Sequence, residues 1–233
     1  MSALPAHRPP SLVALHVGDR PESWAAVGFE VVGRTVAVGD VQICLHGDDG
    51  PRGLLRWDLR GGTGAPHRRA TVSDLDGLST GWVPDGGHAA GDDGPDHPNG
   101  ISSIDHVVIA SADVDRTIEA MISVGFEVRR EGHSTSYGEP MRQVFFWAGD
   151  VIVELVGPTG PPTTKEQEPA RFFGLAFTSE DLDGTAAALP DDLGTPKPAI
   201  QQGRSIASLR LRNHGGSVEC VVMSPHPGVA ADG

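Results

Sequence analysis

Apolar residues recur along this chain in two rhythms, one of period two and one of helical spacing, and their alternation predicts its elements. From Ile104 to Pro158 the run IDHVVIAS reads as a strand. Next, DVDRTIEAMISVGFEV places Val114, Ile118, Met121 and Ile122 on one helical stripe, and FEVRRE, MRQVFFWAGD and VIVELVGP read as three further strands. Asp113 suits the N-cap, where a carboxylate accepts from backbone N–H groups that lack helical partners, and Gly125 suits the stop. The predicted order is β-α-β-β-β.

The pattern repeats. Phe172 to Pro225 runs FFGLAFTS, EDLDGTAAALPDDLG, AIQQ, SIASLRLR and GSVECVVMSP, in register when DVD at 113–115 is laid on DLD at 181–183. GPTGPPTTKEQEPA between the copies reads as a linker. A weaker copy opens the chain: LVALHVGD, a short helix in PESWAAVG, then FEVVGR, TVAVGD and VQICLHG, with VGFEV at 27–31 matching VGFEV at 124–128. GLLRWDLR then stands where FFGLAFTS stands later, and VSDLDGLSTGW echoes SEDLDGTAAAL, which suggests a truncated fourth module whose strands have been lost. Residues 83–100, rich in Gly, Asp and His and without apolar period, read as linker, so His88 and His97, like His67 before them, are expected to be exposed. The expected division is residues 1–82, a linker at 83–100, and a domain at 101–225 made of modules 101–158 and 170–225.

Composition narrows the function classes. The 233 residues carry 18 Lys and Arg against 31 Asp and Glu, a formal charge of −13 without a basic cluster, which argues against nucleic acid. No apolar run approaches the ~18 residues of a membrane span, and the N-terminal residues lack an export signal, so a cytoplasmic protein is expected. The two cysteines, Cys44 and Cys220, make no disulfide framework and no Cys-x-x-Cys pair.

Period-two alternation sorts the strands into faces. His106, Val108 and Ala110 share one face, with Val107 and Ile109 on the other; Ile152, Glu154 and Val156 share a face, as do Ser217, Glu219 and Val221. A carboxylate flanked by Val and Leu is costly to bury alone, so Glu154 and Glu219 each require a counter-charge, a metal or water. Arg142, Arg210 and Arg212 are candidate counter-charges, and a core histidine bonded to a neighbouring carboxylate is the plain alternative for His106. Either face of MRQVFFW can line a pocket, and His133 and Tyr137 fall in a loop that can act as a lid.

A first-strand His and a last-strand Glu in repeated β-α-β-β-β modules resemble the vicinal oxygen chelate, or glyoxalase-like, superfamily, and residues 104–224 carry the resemblance. It implies an α+β fold of tandem modules forming cupped mixed sheets with helices on the outer face. It further implies a small-molecule pocket, a divalent metal (Zn, Mn, Ni, Co or Mg) on His106, Glu154 and Glu219, and Glu219 as proton carrier. No nucleotide cofactor is implied. Gln143, Phe145, Phe172 and Gly174 are the pocket residues it suggests. The departure is Gly174, which the DVD/DLD offset places where the second module normally presents a ligand. In the N-terminal copy Cys44 stands where Glu154 does and Leu12 or a neighbour replaces His106, so no metal set is expected there and the segment reads as structural or dimer-forming. The expected function is a metal-dependent lyase or isomerase acting on an oxygenated carbonyl metabolite, with a metal-free sequestration protein as the alternative. The resemblance allows modules to pair within one chain or across a homodimer.

Overall fold

The computed structural model describes residues 9–62, 71–84, 96–135, 139–160 and 168–227. The first stretch forms β1 (Ser11–Val17), α1 (Pro21–Ala26), β2 (Thr35–Val38) and β3 (Val41–Leu45), with Pro21 in the first turn of α1 where its missing N–H has no cost. FEVVGR, expected as a strand, contributes only an isolated bridge between Val32 and Thr35. Then come β4 (Leu54–Arg60), β5 (Thr71–Leu75) and β6 (Leu78–Val83). Among the described residues the truncated fourth module thus has three strands and no helix. VSDLDGLSTGW is the β5–β6 hairpin, turning through Asp76 (φ 53°) and Gly77 (φ 94°), the two positive φ values that a tight Asp-Gly hairpin turn requires.

The second half follows its predicted order: β7 (Ile101–Ala110), α2 (Val114–Ser123), β8 (Arg130–Ser134), β9 (Met141–Ala148) and β10 (Val151–Pro158), then β11 (Arg171–Ser179), α3 (Leu182–Ala188), β12 (Lys197–Pro198), β13 (Ser205–Leu209), a 3-10 turn over Leu211–His214, and β14 (Glu219–Met223). Asp113 caps α2 by accepting from Arg116 N at 3.1 Å, and Asp181 caps α3 by accepting from Gly184 N at 2.9 Å. AIQQ is not a strand; the short β12 precedes it.

The strands form two mixed sheets, ordered β2-β3-β1-β4-β6-β5 and β12-β13-β14-β11-β7-β10-β9-β8. β3 runs parallel to β1, β6 to β4 and β14 to β11, the arrangement of a β-α-β-β-β unit whose last strand returns beside its first.

Two compact units cut across this order. One comprises residues 1–13, 56–88 and 108–172. Its core stacks Phe126 on Trp57 (centroids 5.8 Å apart, planes at 12°), with Phe146 edge-on to Phe126. Val114, Thr117 and Met121 of α2 are buried, and the inward residues of β9 and β10 are Val144, Phe146, Ala148, Val151, Val153 and Leu155. Asp76 receives Arg116 Nε at 2.6 Å and Thr117 Oγ1 at 2.5 Å, tying the hairpin to the first turn of α2.

The other unit comprises residues 14–55, 89–107 and 173–233. Its core joins Trp24, Phe29 and Phe177, so the two VGFEV segments each supply one core phenylalanine to a different unit. The buried Asp19 accepts from Trp24 Nε1, Ser217 Oγ and Arg52 Nη2. His97 is also inside, correcting the expectation of an exposed linker histidine. Its Nδ1 accepts from Glu30 N at 3.0 Å, its Nε2 donates to Ala37 O at 2.8 Å, and Phe29 lies against its ring. Burial holds its pKa below 6.5, so the ring is neutral. His67, His88 and Tyr137 lie outside the described residues. Among the described residues no helix is long and apolar enough to cross a membrane.

Candidate functional site

In the first unit, the face of β9 and β10 turned away from the α2 core carries Gln143, Phe145 and Trp147 opposite Val156, Glu154 and Ile152. These residues are half-buried or exposed, Trp147 at 43%, except Glu154 and Val156, which are buried. This settles which face of MRQVFFW belongs to the core. Gln143 Nε2 donates to Glu154 Oε1 at 2.5 Å, and Arg130 on β8 covers the Phe145 ring at 4.6 Å. Arg142 pairs with Asp115 and Glu131. Phe172, suggested as pocket lining, packs edge-on against Trp57 at 5.5 Å and so joins the aromatic core. His133 stands on β8 itself, in register with Arg142, and not in a loop.

The second unit contains the more developed polar cluster. His106 Nδ1 lies 2.7 Å from Asp105 Oδ1, with 12% and 4% of the two side chains exposed. The other carboxylate oxygen of Asp105 takes a short hydrogen bond from Arg204 Nη2 and a longer one from Thr178 Oγ1. Arg204 is fully buried and spends its remaining donors on Ser224 O at 2.7 Å, Gln201 Oε1 at 2.7 Å and His226 Nε2 at 3.1 Å. Burial pushes the Asp105 carboxyl upward, but the hydrogen bonds and charges of His106 and Arg204 outweigh it and hold the group ionised well below the usual carboxylate range.

Sequence reasoning singled out His106 and missed Asp105 and Arg204. The available signal was Asp105 itself: it alternates with Val107 and Ile109 on the face opposite His106, and a carboxylate at an apolar position demands a cation. The partner, about a hundred residues away in sequence, could not be named without the fold.

Glu219 and Gly174 stand side by side on β14 and β11. The Glu219 side chain is 48% exposed and its carboxylate is bound by Arg212, the surface ion pair that was the plain alternative. Gly174 is no vacant ligand position: a Cβ there would lie 2.6 Å from the Glu219 carbonyl oxygen, so the strands' close approach itself requires glycine. Among the described residues no group of three or more His, Cys, Asp or Glu side chains is placed to hold a metal ion.

Two mixed sheets built from repeated modules, complete as β-α-β-β-β in the second half of the chain, are consistent with a glyoxalase-like fold. The comparisons agree. Residues 105–208 match the family model of the Glyoxalase/Bleomycin resistance protein/Dioxygenase superfamily. A mutant of 4-hydroxymandelate synthase from Streptomyces coelicolor superimposes with a TM-score of 0.62 at 13% identity, over 93% of each chain. A xylose isomerase-like TIM barrel/4-hydroxyphenylpyruvate dioxygenase fusion protein superimposes with a TM-score of 0.61 at 13% identity, over 98% of this chain and 51% of its own. Methylmalonyl-CoA epimerase from Mycobacterium tuberculosis, at 21% identity, aligns over 55% of this chain and 91% of its own with a TM-score of 0.44. At 13% identity the first two of these likenesses establish the fold alone. No curated protein matches the chain.

Proposed function

We propose that this protein is a lyase- or isomerase-type enzyme that moves a proton on an oxygenated carbonyl metabolite, with His106 as the base. The Asp105–His106 pair carries this reading. Asp105, kept ionised by Arg204, accepts the Nδ1 proton, which fixes the imidazole tautomer with its lone pair on Nε2 and locks the ring's orientation. A ring so held accepts a proton at a defined place, the first requirement for abstraction beside a carbonyl. No step is routed through a metal ion.

The test is deuterium uptake from D2O, followed by proton NMR, into a panel comprising a 2-hydroxyketone, a 2-oxo acid and a malonyl-type thioester. Exchange beside the carbonyl of at least one compound is expected, lost in His106→Gln and unchanged by EDTA. Exchange indifferent to His106→Gln, exchange that vanishes on chelation and returns with a divalent ion, or no exchange across the panel would each overturn the reading.

A further inference from the structure

From the geometry of His16 and His46 we infer a transition-metal site in the N-terminal module, separate from the Asp105–His106 cluster. β1 and β3 run parallel with His16 opposite Cys44, so His46, two residues beyond Cys44, lies on the same face and diagonal to His16. The two rings stack with centroids 5.1 Å apart, and His16 Nδ1 lies 2.8 Å from His46 Nε2. Two nitrogens that each bind one ion at 2.0–2.1 Å stand about 2.9 Å apart at a right angle and about 3.3 Å apart in a tetrahedron. The 2.8 Å hydrogen bond between the rings holds the two nitrogens within the reach of one ion, and imidazole pairs suit Cu(II) and Ni(II).

The pair is held from behind. His16 lies between the buried Leu15 and Val17, and the ladder continues past the end of β3 through His46 N to Val17 O and Gly47 N to Asp19 O, each 2.9 Å. Neither backbone has to be ordered when an ion arrives, so the entropy cost falls on side chains alone. The rings lie at the surface, where the ion can keep water or a small anion in its remaining positions. This two-imidazole site needs no third protein ligand, and among the described residues no three-ligand group exists. Binding requires both rings to be deprotonated and is lost in acid.

The test uses the full chain without an affinity tag, titrated with CuCl2 and NiCl2 by calorimetry. Cu(II) electron paramagnetic resonance on the wild-type protein needs no variant that folds. One equivalent of Cu(II) is expected, its spectrum showing coupling to two imidazole nitrogens. Affinity should fall by more than about tenfold in His16→Asn and in His46→Asn, and stay at the wild-type value in His106→Asn. Absence of a one-equivalent site, coupling to a single nitrogen, or binding that survives the His16→Asn/His46→Asn double variant overturns the inference. Because the readout is metal occupancy and not proton exchange, its failure leaves the His106 reading untouched, and the reverse.

Discussion

Replacing Arg204 with Met keeps most of the aliphatic stem in place and removes the charge, which isolates the Asp105–Arg204 ion pair. The Arg204 side chain is fully buried and that of Asp105 is 4% exposed, so water does not make good the loss. Removing one partner of such a pair costs about 3–5 kcal/mol, because the other is left charged and uncompensated. For a chain of this length, each kcal/mol moves the melting temperature by roughly 2–4 °C, so the variant should melt roughly 6–20 °C lower at pH 7. The pH dependence is the sharper signature. Asp105 is depressed below 3.8 in the folded protein, so its contribution is complete above that value and declines as pH falls below it. In Arg204→Met, burial pushes the carboxyl upward with less to oppose it, and protonation in acid relieves the variant while the wild type loses stability. The gap between the proteins should therefore narrow below about pH 4, by up to about 1.4 kcal/mol per pH unit. Calorimetric melts at pH 7 and pH 3 decide the matter: a difference under about 1 kcal/mol at pH 7, or one equally large at both pH values, would refute the buried-pair argument.

Because burial holds His97 below 6.5, its contribution is complete above that pH and falls as pH drops through its folded value; His97→Gln should flatten this slope and cost about 1–3 kcal/mol at neutral pH, read from denaturant melts between pH 5 and 8. Gly174→His, which restores the ligand type common in the superfamily, should destabilise by about 1–3 kcal/mol, because its Cβ meets the Glu219 carbonyl, and should not create a divalent site at Glu219; a variant of wild-type stability contradicts the close-approach account. Asp76→Ala removes the acceptor for Arg116 and Thr117 and places alanine at positive φ, for about 2–4 kcal/mol, whereas Asp76→Asn, which tolerates that backbone, should cost less; equal losses would show that the backbone conformation is immaterial.

The order of the second-half modules, the Asp113 N-cap and the paired VGFEV segments were legible in the sequence because each depends on neighbours within a few residues: a stripe on one helix, a carboxylate three residues from an N–H, a phenylalanine after a helix stop. Local chemistry alone did not decide what DLDG becomes. In both copies the first Asp accepts a hydrogen bond from the Gly N three residues on, Asp74 from Gly77 and Asp181 from Gly184. TAAAL then continues as helix, while LSTGW turns back as β6, which pairs with β5 on one side and β4 on the other, and Asp76 is held by Arg116 and Thr117 of α2. The same division separates His106 from its supports. Strand alternation picked out the imidazole, but its fixed orientation depends on Arg204, which only folding brings to Asp105, and the unsuitability of Gly174 and Glu219 as ligands follows from a strand spacing and a surface arginine. Sequence determines where donors and apolar groups recur; electrostatics and packing between distant segments decide which of them meet, and only the tertiary structure contains those distances.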